Sequence, residues 1–146
     1  MKSSNSRGFA IVALFALGVA ACGGGHSSSS PGSAATSCAT TAGVTGAVND
    51  TGSQAATGSS VAIEALDVKF SPTCTTGVPT GTVTLTVHNG GTLLHNVSIP
   101  DQHIDRDVAP NATITVQVQV AKTPVVFFCK YHRVSGMVGV LVPASS

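Results

Sequence analysis

Three stretches of this chain alternate apolar and polar residues with a period of two, and nothing else in the sequence restricts its fold so strongly. Val61, Ile63 and Ala65 alternate with Ala62, Glu64 and Leu66; Val83, Leu85 and Val87 with Thr82, Thr84 and Thr86; Ile114, Val116, Val118 and Val120 with Thr113, Thr115, Gln117 and Gln119. Successive side chains of a strand point to opposite faces, so each run predicts a strand with one face turned inward. The many Val and Thr residues are stiff at χ1 and suit a pleated surface. Asn89, Gly90 and Gly91 predict a turn after the second run, and Pro110 and Asn111 one before the third. Pro124 introduces a compact apolar run from Val125 to Phe128, and a last strand is expected from Val138 to Val142. Short strands separated by turn signals predict an all-β domain, a Greek-key β-sandwich or barrel. No repeat or helical period competes.

The front of the chain follows other rules. Lys2 and Arg7 precede an apolar run from Gly8 to Ala21 that is short for a membrane-crossing helix, which predicts a secretory signal peptide over 1–21. The sequence Val19, Ala20, Ala21, Cys22 resembles the bacterial lipobox, and the resemblance implies that Cys22 is diacylated and becomes the mature N-terminus. A plain signal cut at a nearby alanine is the alternative. In both cases the mature protein lies outside the cytoplasm, where disulfides persist; the lipobox reading adds a lipid anchor in a bacterial membrane, on its periplasmic or cell-surface face. No charged residue occurs between Arg7 and Asp50, and Gly, Ser, Ala and Thr dominate up to about Ser60. Such a stretch has too few large apolar side chains to offset the entropy of ordering it. It is expected to be a flexible tether over 22–59, with His26 solvated, ahead of a folded domain over 60–146.

Net charge excludes more than it suggests. A formal charge of +1 with 9% charged residues offers no basic footprint for nucleic acid, and one small domain of this kind is expected to be a monomer.

The segment that carries chemistry is Phe127, Phe128, Cys129, Lys130, Tyr131, His132, Arg133, Val134, Ser135, Gly136, Met137, Val138, Gly139. It places a thiol, an imidazole and a thioether on one short loop. Cys and His alone would also suit zinc, which needs further Cys or His ligands to close a tetrahedron. Two imidazoles and a thiolate with a weak axial thioether suit copper, because soft sulfur favours Cu(I) while imidazole also serves Cu(II). His95 is the candidate for the second imidazole. It stands in Leu94, His95, Asn96, Val97, after the Asn89, Gly90, Gly91 turn.

Taken together, Asn-Gly-Gly before a His-Asn pair, and a Phe-Phe run into Cys-x-x-His-x-x-x-x-Met-x-Gly, resemble the plastocyanin and azurin family of cupredoxins, from about Val61 to Pro143. The Phe70, Ser71, Pro72 segment adds to the likeness, whereas the family's turn before the ligand strand is replaced by Ala121, Lys122, Thr123, Pro124, Val125. The resemblance implies one type 1 copper ion held by His95, Cys129, His132 and, weakly, Met137. It implies that Asn96 ties the two ligand loops together and that His132 is the ligand nearest solvent. Phe127, Phe128, Leu94 and Val138 are expected to surround the site with apolar side chains. With Cys22 assigned to lipid and Cys129 to copper, Cys38 and Cys74 are left as a disulfide pair; a Cys74–Cys129 bridge that blocks copper is the alternative.

The implied function is single-electron transfer between redox protein partners, with no substrate chemistry on the protein. Lys130 and Arg133 flank His132, so a partner with a negative docking face is expected, unless both are ordinary solvated residues. Copper delivery or sequestration is a second reading, against which stands the presence of only two methionines in the chain. A third is a metal-free structural surface lipoprotein, in which Cys129 is a buried thiol and Met137 fills core. No nucleophile with a base at a recognised spacing points to an enzyme. His88 and His103 match no ligand position and are expected on a strand end and in an acidic loop with Asp101, Asp105 and Asp107. Asn49, Asn96 and Asn111 each begin a glycosylation sequon, which carries little weight beside a bacterial-type lipobox.

Overall fold

The computed structural model describes residues 37–145. The signal peptide, Cys22 and the tether up to residue 36 lie outside the described residues. In chain order the elements are a one-turn helix α1 (Cys38–Thr41), β1 (Ser53–Ala55), β2 (Ser60–Leu66), β3 (Lys69–Ser71), β4 (Cys74–Val78), β5 (Gly81–Asn89), β6 (His95–Ile99), a 3-10 turn (Pro100–Gln102), β7 (Ile104–Val108), β8 (Thr113–Val120), β9 (Val125–Phe128) and β10 (Val138–Pro143). They form two sheets, ordered β3-β2-β5-β8 and β1-β4-β10-β9-β6-β7, packed as a sandwich.

The period-two runs build the four-stranded sheet. Val61, Ile63 and Ala65 of β2, Val83, Leu85 and Val87 of β5, and Val116, Val118 and Val120 of β8 are buried. Registers such as Ile63 with Val87 and Leu85 with Val116 align these residues on one face. Across the sandwich they meet Val97, Ile99, Val108, Phe127 and Leu141. Phe70 and Phe127 pack with ring centroids 4.9 Å apart. Removing side chains of this size from water contributes about 1.5–3 kcal/mol each, and the core they form is shared by both sheets.

Two expectations need correction. The tether does not run to residue 59: from Ser37 the chain is folded onto the six-stranded sheet as a strap. Ser37 caps α1, its side chain accepting a hydrogen bond from Thr40 N, and β1 pairs in parallel with β4, Ser53 opposite Cys74. The physical reason lies in β9 and β10, whose second face is also apolar. Val126, Val140 and Val142 cluster with Ala39, Ala42, Val44 and Val48 of the strap, so small side chains find a surface to cover. A disulfide joins Cys38 to Cys74, closing 36 residues of sequence separation. The acidic stretch also differs from the loop expected. Residues 104–108 form β7, paired antiparallel with β6; Asp105, Arg106 and Asp107 mark it as a charged sheet edge, the kind that resists pairing with other chains. His103 is exposed in a left-handed conformation just before it.

Candidate metal centre

The loop from Cys129 to Met137 joins β9 to β10 and folds on itself through its own backbone. Cys129 N donates to Met137 O at 3.1 Å, Met137 N to His132 O at 3.1 Å, and His132 N to Cys129 O at 3.0 Å. Ser135 N and Gly136 N donate to His132 O and Arg133 O. These bonds hold the three candidate donors of the loop in a fixed relation. Gly139 is needed directly after it, because a Cβ there would collide with the ring of Phe127.

His95 opens β6 and is held from the loop before it. The buried Asn89 donates through Nδ2 to Leu93 O and Val108 O, both at 2.8 Å, and accepts from Gly91 N. Asp67, in the β2–β3 turn, accepts from Thr92 N at 2.8 Å, Thr92 Oγ1 at 3.0 Å and Leu93 N at 3.2 Å. A side chain at Gly91 would collide with that carboxylate. The Thr92 bonds lead in holding the Asp67 carboxyl below the usual carboxylate range.

The structure brings His95, Cys129 and His132 together: one donor atom from each lies within 4.8 Å of the others. Cys129 Sγ is 3.4 Å from His132 Nδ1, and the two imidazoles meet edge to face with centroids 5.2 Å apart. Cys129 is a free, buried thiol. Met137 is fully buried in the same core as Cys129. His132 is only half-buried, so of the four it is the nearest to solvent.

The donor set fits a metal ion on an observation of the fold itself. His95 is fully buried, and neither ring nitrogen has a hydrogen-bond partner; Asp67 Oδ1, at 3.8 Å from Nε2, is beyond hydrogen-bond reach. An unsatisfied buried polar group costs about 1–3 kcal/mol, and a coordinated ion removes part of that cost. Burial first, then the neighbouring His132, lower the His95 pKa, favouring the neutral imidazole that can ligate.

Asn96 is buried and stands at a junction. Its Nδ2 donates to Asp105 Oδ1 at 2.7 Å and Asp107 Oδ1 at 2.8 Å, while its Oδ1 accepts from Lys130 N at 3.4 Å. Lys130 Nζ lies 2.8 Å from Asp105 and 3.0 Å from Asp107, and Tyr131 OH donates to Asp107 at 2.9 Å. Lys130 leads in lowering the Asp105 pKa and Asn96 in lowering that of Asp107; the same carboxylates raise the Lys130 pKa, and Asp107 raises that of Tyr131. Lys130 is therefore matched by two carboxylates rather than presented as free positive charge. Arg133 lies over the Phe128 ring, 4.2 Å from its centroid.

Phe127 and Val138 are buried, as an apolar surround requires, but Leu94 points outward. Leu93, Leu94, Tyr131 and Val134 are 42%, 45%, 47% and 95% exposed, all on the two loops that carry the histidines. Asp67, Asn89, Asp105 and Asp107 were not singled out from the sequence as site residues. Asn89 stands directly before the turn glycines Gly90 and Gly91, a sequence signal that could have drawn attention to it, whereas Asp67, between Leu66 and Val68, carries no such signal.

Comparison with known proteins gives the same fold. A comparison with curated proteins returned no match. Among solved structures, reduced auracyanin from Roseiflexus castenholzii is 20% identical, with 60% of this chain and 98% of that chain covered and a TM-score of 0.50. The metal-binding domain of the Streptococcus pneumoniae D39 Cu(I)-exporting P-type ATPase CopA, with Cu(I), is 12% identical, covers 68% and 93%, and also has a TM-score of 0.50. Amicyanin from Paracoccus versutus is 16% identical over 57% and 80%, with a TM-score of 0.47. At such identities the likeness concerns the fold. The family profile of the cupredoxin-like domain matches residues 35–142, a span that takes in the strap, both sheets and every donor described above. This chain belongs to the cupredoxin-like domain family.

Proposed function

We propose that this protein is an extracytoplasmic electron carrier that holds one type 1 copper ion through His95, Cys129 and His132, with Met137 as a weak fourth donor. The observation that carries the reading is the convergence of two imidazoles and a buried free thiol around a His95 ring with no other polar partner. Copper, when bound, supplies the one-electron Cu(II)/Cu(I) couple. The protein supplies rigidity: the self-bonded loop and the network around Asn96 keep the donors in one arrangement, which suits a centre whose two oxidation states share a geometry. His132 is the least buried of the four donors, and the two loops that carry the histidines expose Leu93, Leu94, Tyr131 and Val134. That rim supports docking of a redox protein through an apolar contact, with this chain a monomer between encounters. Lys130, matched by Asp105 and Asp107, adds little net charge to the contact, so the expected dependence of association on salt is weak.

The location is part of the same proposal. Cys22 carries lipid and tethers the domain to a bacterial membrane, on its periplasmic or cell-surface face. The Cys38–Cys74 disulfide supports an oxidising compartment.

The deciding measurement is the absorption spectrum of the copper-loaded, oxidised protein, followed by reductive titration. A strong thiolate-to-copper band, one copper per chain, reversible loss of colour on reduction, and no band in Cys129→Ser are expected. Copper bound without the band, or a band that survives Cys129→Ser, would leave a delivery or structural role as the better account.

A further inference from the structure

The donor loop is clamped by a residue far from it in sequence, in the segment whose composition suggests a mere tether. Asn49 Nδ2 donates to Ser135 O at 2.8 Å and to Val68 O at 2.7 Å, and Asn49 N donates to Gly136 O at 2.9 Å. Three hydrogen bonds from one residue thus tie the C-terminal end of the donor loop to the β2–β3 turn. The same turn carries Asp67, which holds the loop in front of His95. The contact is close enough to dictate a glycine: at Gly136, with φ of +92°, a Cβ would lie 3.1 Å from both Asn49 N and Asn49 Oδ1. Asn49 is itself held firmly. Two residues on, Thr51 N donates to Thr73 Oγ1 at 2.8 Å and Thr51 Oγ1 donates to Phe70 O at 2.8 Å, while the buried Thr73 hydroxyl reaches Asn49 O at 3.4 Å.

We propose that Asn49 is a positioning residue of the metal site, fixing Ser135 and Gly136 and through them the presentation of Met137, the next residue. The strap is then part of the site's scaffold rather than a spacer in front of it. Asn96 with Asp105 and Asp107 restrains the loop where it leaves Cys129; Asn49 restrains it where it arrives at Met137. The proposal rests on the copper reading above and adds to it a determinant of how firmly the Met137 end of the donor loop is held.

The test uses the full chain as wild type, Asn49→Ala and Asn49→Asp, the last retaining size but unable to donate to the two carbonyls. Gln102→Ala serves as a control: its side chain bridges backbone elsewhere, to Gln119 N and Gln119 O. In the metal-free proteins, hydrogen exchange of the Gly136 and Met137 amides is expected to quicken in both Asn49 variants and not in Gln102→Ala. In the copper-loaded proteins, the Cu(II) electron paramagnetic resonance spectrum and the reduction potential should move in both Asn49 variants. Copper affinity should fall by about tenfold, the lower end of what losing outer hydrogen bonds does to a metal site. If the Asn49 variants lose only thermal stability, with exchange at residues 136 and 137, spectrum and potential all as in wild type, the proposal is overturned while the copper reading stands. If wild type itself shows no thiolate-to-copper band, the copper reading fails and this inference falls with it.

Discussion

The two sheets of the sandwich are built on different terms. The four-stranded sheet buries one face and leaves Thr84, Thr86, Gln117 and Gln119 outward, where Thr84 and Gln117, and Thr86 and Thr115, bond across the strands. The six-stranded sheet buries both faces of β10 and all five residues of β6. Its second face is closed by the strap on one side and by the Asp105, Asp107 and Lys130 network on the other. Every candidate donor belongs to this second sheet or to its loops. A face exposed to water needs only polarity, whereas a face covered by irregular chain needs specific partners. Those partners can hold metal donors in place.

This contrast can be broken most forcefully in the shared core. Phe127→Ala should cost about 3–5 kcal/mol and also disturb the copper spectrum, because Phe127 packs on Gly139 just beyond the donor loop. Leu85→Ala, on the four-stranded side, is expected to cost about 2–4 kcal/mol yet leave the spectrum unchanged. Denaturant unfolding with spectra of the loaded variants checks both, and a spectral change in Leu85→Ala would show that the two sheets are not separable in this way. Replacing Cys38 and Cys74 together by serine should remove about 3–4 kcal/mol in the chain-entropy account. Faster proteolysis of residues 37–52 is expected, since α1 and the strap lose their covalent pin; an unchanged digestion pattern would show that the apolar cover alone suffices.

A smaller effect concerns acid. Asp105 and Asp107 have folded-state pKa values below their ordinary one, through Lys130 and Asn96. Their contribution is therefore complete above the ordinary carboxylate range near pH 4 and is lost as pH falls through the lowered folded values. The metal-free Asp105→Asn, Asp107→Asn double variant should show a flatter fall in melting temperature between about pH 4 and pH 2 than wild type; parallel curves would refute the assignment. The smallest change is expected at Thr84→Ser, on the outward face of the four-stranded sheet, within about 0.5 kcal/mol in thermal unfolding, as for most surface substitutions that keep the hydroxyl.

The same contrast governs what could be read from the chain in advance. The strands of the four-stranded sheet were legible because one wet face and one dry face leave a period of two; β2, β5 and β8 follow it closely. His95, Cys129, His132 and Met137 stood out because their chemistry is rare and three of them share a loop. The strap was not legible: Ala39, Ala42, Val44 and Val48 are too small and too scattered to announce a buried face. Its sign was written elsewhere, in the continuous apolar runs of β9 and β10. A strand apolar on both faces must be covered on both, and Val126, Val140 and Val142 left that cover to be found. β7 was obscured in the same way, because Asp105, Arg106 and Asp107 suit an edge strand and a loop equally well.

The position of β10 sets the order in which the molecule can be completed. It lies between β4 and β9, with Val140 opposite Cys74 on one side and Val126 on the other, yet it is the last strand of the described residues. Until it inserts, β1 and β4 have no continuous partner and the strap has only part of its seat. The donor loop, which ends where β10 begins, is closed by the same late event. The pairing of β4 with β10, Cys74 opposite Val140, spans more than half of the described residues, so it carries a large loop-closure cost and belongs to the slow part of folding. A nascent chain of this kind keeps an open apolar groove in the middle of its larger sheet until its last strand is free to enter.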